Sequence, residues 1–291
     1  MGLLMFEIQP WLIIQALIQG LTEFLPVSST GHLGLGWAAL EASGLNTPTT
    51  GDQQIIDIAL HLGTLMAVVL YFFGDVTRLY SGGLALFTRQ SDRPDPRSLL
   101  FVRLIVASIP ALLIGMLISD FRETYKNDLG LIAATTILFG CLLFVADRFF
   151  LPTTRLKHLS LSGAFLIGIM QCFALVPGVS RSGITITAGR FIGLDRESAT
   201  RFSMLLSIPI ILGAGIFGVL ELWGRGELAL TQTAIWAIFI SFLAALGAIH
   251  FMMELARRAT FTAFVIYRIG LGITIYALLA TGWLPSSMGQ F

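Results

Sequence analysis

The chain has 291 residues, of which 55% are hydrophobic and only 12% are charged. A soluble domain typically carries about 25% charged residues, so this chain has roughly half the charge that a water-exposed surface needs. Lysine and arginine number 18 against 17 aspartates and glutamates, and a net charge of +1 offers no broad basic surface to nucleic acid. The composition excludes a soluble enzyme, a disordered protein and a nucleic-acid-binding protein. It predicts a polytopic membrane protein surrounded by lipid.

Hydropathy predicts an all-α fold with six transmembrane helices. A helix needs about 20 apolar residues to cross the hydrocarbon core of a bilayer. The stretches that meet this requirement are 55–73, 99–119, 130–147, 202–221, 232–253 and 262–282. Two further apolar stretches, 8–43 and 160–193, are interrupted by proline, glycine and hydroxyl residues. Because irregular backbone at membrane depth must be enclosed by protein or line a cavity, we expect two re-entrant helical hairpins.

The two interruptions align with each other at one offset, the 152 positions that separate Gln19 from Gln171. Residues 19–31 read QGLTEFLPVSSTG and residues 171–183 read QCFALVPGVSRSG, so that Gln, Val, Ser and Gly coincide. Three predicted spans separate the hairpins, which therefore enter the membrane from opposite faces. We predict one integral membrane domain over 1–291, with an inverted-topology repeat of approximately 1–147 and 148–291.

The distribution of basic residues predicts the orientation of the chain, because cytoplasmic loops are enriched in lysine and arginine. With alternating spans, the side that carries the N terminus holds only Arg122, Lys126 and Arg225. The opposite side holds Arg78, Arg89, Arg93, Arg97, Arg148, Arg155, Lys157, Arg190, Arg196, Arg201, Arg257 and Arg258. We therefore expect the arginine-rich side to be cytoplasmic and both termini to lie outside the cytoplasm.

Polar residues gather at the first interruption. Gln15, Gln19 and Glu23 are spaced four residues apart, which places them on one face of a helix. A carboxylate within an apolar helix is costly and marks a candidate functional site, although an interfacial helix end that touches water is the alternative.

The residues after Pro26 begin a second helix with the run Ser28, Ser29, Thr30, Gly31 and His32. A single hydroxyl beside a break serves as a helix cap, but three consecutive hydroxyls exceed what capping needs. A helix N terminus attracts anions. Ser29 and His32 lie three residues apart and can face one ligand, a pairing that suits a nucleophile and a proton carrier.

The second interruption supplies Ser180, Arg181, Ser182 and Thr185, again at a predicted helix start. An arginine within the membrane requires an anionic partner because it does not lose its proton. A structural salt bridge to Glu23 would satisfy it. A bound oxyanion is the other interpretation, and a diphosphate matches the number of donors at the two interruptions.

Other polar residues suggest structural roles. Asp57 and His61, four residues apart, predict a local hydrogen bond near the membrane interface. Arg103 and Arg268 are expected to pair with acidic groups or to extend toward the interface.

The motifs at 19–33 (QGLTEFLPVSSTGHL) and 177–185 (PGVSRSGIT) resemble the signatures of the bacterial undecaprenyl-diphosphate phosphatases, also called the bacitracin-resistance phosphatases. The resemblance extends along the chain through DIALHLGTL at 57–65, FSMLLSIP at 202–209 and the Tyr-Arg pair at 267–268. It implies hydrolysis of undecaprenyl diphosphate to undecaprenyl phosphate and phosphate at the periplasmic side of the bacterial plasma (inner) membrane. This reaction recycles the lipid carrier of peptidoglycan synthesis and confers bacitracin resistance.

By motif position, the resemblance implies Ser29 as the nucleophile, Glu23 or His32 as the proton acceptor and Arg181 as a clamp on the phosphates. The remaining phosphate-binding candidates are Gln19, Ser28, Thr30, Ser180, Ser182 and Thr185. The family's acidic motif carries Glu or Gln at its first position, and Gln19 here leaves Glu23 as the one carboxylate of the motif. The resemblance further implies a divalent cation, Mg²⁺ or Ca²⁺, with Glu23 as a ligand. It leaves open a homodimer.

Three other interpretations compete with this one. Inverted repeats with broken helices are typical of secondary transporters, so a polyprenyl-phosphate flippase is the alternative. A second class of membrane lipid phosphatase needs a Ser-Arg pair, five intervening residues and then a His, and after Ser180-Arg181 this chain has Thr187 at that position. A purely structural membrane protein would leave the hydroxyl-rich breaks and Arg181 unexplained.

Overall fold

A computed structural model of the chain describes residues 9–42, 48, 50–88, 96–118, 124–125, 128–225 and 232–283. Within these residues the fold is all-α, with eleven α-helices and two short 3₁₀ turns at Leu156–His158 and Cys172–Leu175. The helices are α1 (Pro10–Thr22), α2 (Ser29–Ala42), α3 (Thr50–Tyr71), α4 (Phe73–Thr88), α5 (Pro96–Leu117), α6 (Leu129–Phe149), α7 (Leu161–Gln171), α8 (Arg181–Phe191), α9 (Arg196–Arg225), α10 (Gln232–Arg258) and α11 (Thr262–Ala280).

All six predicted spans are confirmed as helices that are long and apolar enough to cross a membrane. They are α3, α5, α6, α9, α10 and α11, and they contain apolar windows such as Leu129–Phe149 and Thr262–Ala280. Many of their large apolar side chains are exposed on the outside of the bundle, as expected for surfaces that face lipid. The protein is therefore a multi-pass membrane protein.

One helix lies where the sequence predicted a loop between spans. Helix α4 covers Phe73–Thr88, and all but its first residue lie between the predicted spans 55–73 and 99–119, where a connecting loop was expected. Asp75 in its first turn favours a helix start because its charge opposes the positive end of the helix dipole. Helix α4 packs against α5, and Ser98 Oγ donates to the carbonyl of Gly82 over 2.8 Å. A side chain at Gly82 would collide with the backbone of Arg97, so glycine permits this close contact.

Both predicted interruptions are confirmed as breaks between helices. Helix α1 ends at Thr22 and α2 begins at Ser29, whereas α7 ends at Gln171 and α8 begins at Arg181 after a 3₁₀ turn. Among the described residues, Ser28 and Ser180 are the only non-glycine residues with positive φ, at 73° and 72°. Each serine Oγ accepts a hydrogen bond from the backbone N–H of the glycine three positions later. The offset of 152 residues seen in the sequence therefore relates two turns of the same backbone geometry (Ser28 to Ser180).

Ion pairs bring the arginines of the predicted cytoplasmic side to one end of the bundle. Asp147 in α6 accepts from Arg196 over 2.7 Å, and Asp75 in α4 accepts from Arg201 over 2.6 Å. Arg190 was counted among the loop arginines of this side; only 3% of it is exposed, and it donates to the carbonyl of Phe150. The predicted loop residues Arg89, Arg93, Arg122 and Lys126 and both chain termini lie outside the described residues.

Candidate functional site

Glu23 is the centre of the polar cluster that joins the two breaks. It lies in the turn after α1, and both of its carboxylate oxygens accept hydrogen bonds. Ser29 Oγ donates to Oε2 over 2.9 Å, and Gln19 Nε2 donates to the same oxygen over 3.0 Å. Arg181 Nη2 donates to Oε1 over 2.8 Å. The structure thus brings Ser29 and Arg181, which are 152 residues apart, to opposite oxygens of one carboxylate.

Arg181 is held in place from three directions. Besides its ion pair with Glu23, its Nη1 donates to the carbonyl of Ser203 in α9 over 3.1 Å. The guanidinium carbon lies 5.8 Å from the centre of the buried Phe24 ring, a favourable cation–π arrangement. The salt bridge that the sequence offered as one interpretation of Arg181 is therefore present. The contacts with Ser203 and Phe24 do not involve Glu23, so they can hold the guanidinium in place when another anion replaces the carboxylate.

The hydroxyls of the second break mostly bind other parts of the protein. Ser182 Oγ donates to the carbonyl of Leu25 over 2.8 Å, which ties the second break to the first. Thr185 Oγ1 lies 2.7 Å from Ser203 Oγ and also donates to the carbonyl of Arg181. Ser180 Oγ accepts from the backbone N–H of Gly183 and lies 3.2 Å from Ser182 Oγ. These three hydroxyls organise the two helix starts around Arg181.

The structure separates Thr30 and His32 from the carboxylate. Thr30 is exposed, and none of the described residues forms a polar contact with its hydroxyl. His32 uses both ring nitrogens elsewhere. Its Nδ1 lies 2.7 Å from the carbonyl of Ser28, and its Nε2 lies 2.6 Å from the hydroxyl of Tyr267. Of the two proton acceptors that the motif offered for Ser29, only Glu23 hydrogen-bonds to it in this structure.

Arg268 connects the two breaks by donating hydrogen bonds to backbone carbonyls of both. The sequence suggested an acidic partner or an extended position for this residue, and both expectations are wrong, because Arg268 is fully buried and bonds to backbone carbonyls. Its Nη1 donates to the carbonyl of Pro26 over 3.3 Å, and its Nη2 donates to those of Gly178 and Val179, each over 3.0 Å. Interrupted helices leave such carbonyls without intrahelical partners. Arg268 supplies donors to equivalent carbonyls of both breaks, since Pro26 and Gly178 are again 152 residues apart.

His61 also reaches the cluster, although the sequence predicted only a local role for it. The local contact with Asp57 is confirmed, because His61 Nδ1 lies 2.7 Å from the carbonyl of that residue. A carbonyl can only accept, so Nδ1 carries a proton, and in the neutral ring the lone pair belongs to Nε2. Nε2 lies 3.8 Å from Glu23 Oε2, on the same side of the carboxylate as Ser29.

The oxygen atoms near Glu23 fit a divalent cation of the hard, oxygen-binding type. Gln19 Oε1 is buried and has no hydrogen-bond partner, although the other end of the same amide bonds to Glu23. An orphaned buried amide oxygen beside a carboxylate is the kind of ligand that Mg²⁺ and Ca²⁺ prefer. Across the described part of the chain, His, Cys, Asp and Glu residues form no cluster of three that could hold a metal. A cation here would therefore depend on oxygens from the substrate as well.

Comparison with known proteins identifies the family. The family model described as "Bacitracin resistance protein BacA" matches residues 12–274. The chain belongs to this family. It is 40% identical over 271 residues to the "Undecaprenyl-diphosphatase" of Jannaschia sp. (strain CCS1), covering 92% of this chain and 97% of that protein. It is 41% identical over 282 residues to the "Undecaprenyl-diphosphatase 1" of Rhodospirillum rubrum, covering 96% and 97%.

The "Undecaprenyl-diphosphatase" of Teredinibacter turnerae is similar to the same extent, with 42% identity over 265 residues, 91% of this chain and 97% of that protein. The resemblance to the bacitracin-resistance phosphatases is therefore confirmed.

Within this BacA-family chain, the residues that sequence reasoning missed come from the less conspicuous motifs. Ser203 belongs to FSMLLSIP, His61 belongs to DIALHLGTL, and Tyr267 and Arg268 form the Tyr-Arg pair. Each motif contributed to the resemblance, but none interrupts its helix, so local sequence gave no sign that these side chains turn toward the breaks.

Proposed function

We propose that the protein hydrolyses undecaprenyl diphosphate to undecaprenyl phosphate and inorganic phosphate. One observation carries this proposal: Ser29 Oγ and the Arg181 guanidinium meet at the two oxygens of Glu23. A hydroxyl hydrogen-bonded to a carboxylate, with a fixed cation beside it, is an arrangement suited to attack on a phosphate. The names of the related undecaprenyl-diphosphatases favour the same substrate for this member of the family.

The proposed reaction begins with transfer of the terminal phosphoryl group to Ser29. Ser29 Oγ gives its proton to Glu23 and forms a bond to the terminal phosphorus, while the bond from that phosphorus to the bridging oxygen breaks. Undecaprenyl phosphate leaves with the electron pair of that bond. Water then attacks the phosphoserine, the Ser29 O–P bond breaks as Glu23 returns its proton to Ser29 Oγ, and inorganic phosphate leaves as H₂PO₄⁻. Arg181 stabilises the charge that builds up on the phosphate oxygens.

We propose that the reaction uses a divalent cation, Mg²⁺ or Ca²⁺. Gln19 Oε1 and Glu23 Oε1 would hold it, the latter becoming accessible when Arg181 binds the substrate instead. A bound cation would neutralise charge on the diphosphate. The remaining candidates play supporting parts, with Ser28, Ser180, Ser182 and Thr185 shaping the helix starts that face the phosphates. The proposed site lies within one chain, so it does not require a dimer.

The proposed topology is an inverted repeat with two re-entrant hairpins. The matching turns at Ser28 and Ser180 support it. Helix packing supports it too, because α1 packs on α10 in the other half, just as α7 packs on α5. We further propose that the arginine-rich end faces the cytoplasm, that both termini are periplasmic and that the site opens to the periplasm of the bacterial inner membrane. Recycling of the lipid carrier for peptidoglycan synthesis, and bacitracin resistance, would follow from this location.

A phosphate-release assay on the purified full-length protein tests the proposed function. The substrate is undecaprenyl diphosphate, and the test variant is Ser29→Ala. The matched control is Ser81→Ala, because Ser81 is an exposed serine of α4 that bonds only within its helix. We expect Ser29→Ala to lose at least 10³-fold in turnover and Ser81→Ala to keep it. A phosphoserine trapped in the wild type by acid quench would support the covalent step.

Two results would contradict the proposal. Unchanged turnover of Ser29→Ala would show that Ser29 is not the nucleophile. Transport of polyprenyl phosphate in proteoliposomes without phosphate release by the wild type would instead favour the flippase.

A further inference from the structure

A polar cavity lies at the arginine-rich end of the molecule, and Glu23 is not among the residues that line it. Its volume is about 440 Å³, and it is enclosed by the end of α6, the start of α9, the end of α10 and the start of α11. Four arginines and three carboxylates line it, namely Arg148, Arg190, Arg196, Arg257, Asp147, Asp195 and Glu197. The lining therefore carries one net positive charge.

The carboxylates of this cavity are already satisfied by the protein. Asp147 accepts from Arg196 through Oδ1 and from the backbone N–H of Phe261 through Oδ2. Asp195 accepts from the backbone N–H of Ser198 at the start of α9, and Glu197 accepts from Arg257. Each carboxylate thus has a donor from the protein itself, which leaves the excess charge on the arginines.

Arg148 is the arginine of this cavity that lacks a partner. It is exposed at the end of α6, and within the described ranges neither a carboxylate nor a carbonyl bonds to its guanidinium. Arg196 uses Nε for Asp147, and the structure shows no acceptor at its two terminal nitrogens among the described residues. The cavity therefore presents two guanidinium groups with unused donors, the arrangement that binds phosphate oxygens in proteins.

The position of the cavity relative to the bilayer indicates the source of the phosphate. Helix α6 has 21 residues, a length of about 31 Å at 1.5 Å per residue, which matches the hydrocarbon thickness of about 30 Å. Its C-terminal end at Arg148 consequently lies at the level of the lipid headgroups. The same cavity is lined by Phe144, Phe150 and Leu151, all of which are exposed apolar side chains. Basic donors at headgroup depth beside an apolar rim fit a lipid better than a free ion.

We propose that this cavity binds the phosphate group of an anionic membrane lipid, with Arg148 and Arg196 as its donors and the acyl chains against the apolar rim. This site is separate from the diphosphate site and does not depend on the proposed hydrolysis. It would hold the ends of α6, α9, α10 and α11 together in a bilayer that contains anionic lipid.

Native mass spectrometry of the detergent-purified full-length protein tests this assignment. Phosphatidylglycerol is titrated against phosphatidylcholine, and inorganic phosphate is titrated separately. Arg148→Gln is the test variant, because this exposed side chain has no partner to lose. Arg258→Gln is the matched control, since it removes one positive charge from the same end but pairs with Glu254 outside the cavity. We expect phosphatidylglycerol to bind the wild type and Arg258→Gln equally, and to bind Arg148→Gln about tenfold more weakly.

Three outcomes would overturn the assignment. Equal weakening by Arg148→Gln and Arg258→Gln would show a diffuse surface charge instead of a site. Equal binding of phosphatidylglycerol and phosphatidylcholine would show that the cavity does not select lipids by the charge of the headgroup. Binding of inorganic phosphate that is lost in Arg148→Gln, without any preference for phosphatidylglycerol, would assign the cavity to a free anion.

Discussion

Replacement of Arg181 by alanine tests the phosphate clamp. We expect two separate effects, one on turnover and one on stability. In phosphoryl transfer, an arginine that stabilises the transition state contributes about 10³- to 10⁵-fold to turnover. At about 1.4 kcal/mol for each factor of ten, this is about 4 to 7 kcal/mol of transition-state stabilisation. We expect Arg181→Ala to fall in this range for kcat/KM in the phosphate-release assay.

The same substitution removes one partner of a buried ion pair. The side chains of Arg181 and Glu23 are 13% and 7% exposed, and Arg181→Ala leaves the carboxylate without its cation. Breaking such a pair costs about 3 to 5 kcal/mol of stability, so thermal unfolding in detergent should occur at a lower temperature. The double variant Glu23→Gln/Arg181→Ala should recover much of the stability, because no buried charge is left unpaired, but none of the activity.

These two measurements distinguish a clamp from a structural salt bridge. A merely structural Arg181 would cost stability in Arg181→Ala, but the folded fraction of that variant would keep its turnover. A folded Arg181→Ala protein that stays within tenfold of wild-type turnover would refute the clamp. Arg181→Lys provides the intermediate case, because it keeps the charge but loses the planar fork that binds two oxygens at once, and we expect a partial loss.

Three further predictions concern the supports of the site and its cation. Arg268→Met should lower the stability by about 4 kcal/mol, since it removes donors to four carbonyls at about 1 kcal/mol each; an unchanged unfolding temperature would show that other groups satisfy those carbonyls. Ser180→Val should destabilise the protein by about 2 kcal/mol, because it loses the helix cap and adds strain at a positive φ. Ser180→Gly should cost only a few tenths of a kcal/mol. Equal destabilisation by the two variants would show that backbone strain does not contribute. A chelator should abolish turnover and Mg²⁺ or Ca²⁺ should restore it. Gln19→Leu should raise the cation concentration needed for half-maximal restoration about tenfold, and an unchanged titration would remove Gln19 from the ligand set.

The sequence could predict the spans and the breaks because both have local signals. Twenty apolar residues in a row specify a membrane helix without reference to the rest of the chain. The two breaks are visible in the sequence through proline, glycine and clustered hydroxyls, and the offset of 152 between their Gln, Val, Ser and Gly residues pairs them. Helix α4 was missed for the opposite reason. Its charged residues Asp75 and Arg78 follow directly after a predicted span, so this amphipathic helix resembled a connecting loop.

The contacts of single polar residues on continuous helices could not be predicted in this way. Arg268 reaches Pro26 across 242 positions, and α11 continues as an unbroken helix through this residue, so the local sequence does not indicate its partner. His61 is similar, because its contact with Asp57 follows from a spacing of four whereas its approach to Glu23 depends on how α3 packs beside α1. Such residues can be identified only by asking which backbone groups at the breaks lack hydrogen-bond partners. Once two breaks are predicted at membrane depth, their unpaired carbonyls require a buried donor.

The pairing of Glu23 with Arg181 follows from the same requirement applied to charge. Two opposite charges at membrane depth must satisfy each other when the diphosphate is not bound, because either one alone would face a large desolvation cost. A diphosphate that enters the site brings its own negative charge to Arg181, so the Arg181–Glu23 contact can open without leaving the guanidinium unpaired. Glu23 then retains Ser29 and Gln19 as partners and gains a vacant oxygen, which a divalent cation can occupy. In the proposed mechanism, the salt bridge and the phosphate clamp are thus two states of Arg181, and the hydrogen bond between Ser29 and Glu23 is present before the substrate arrives.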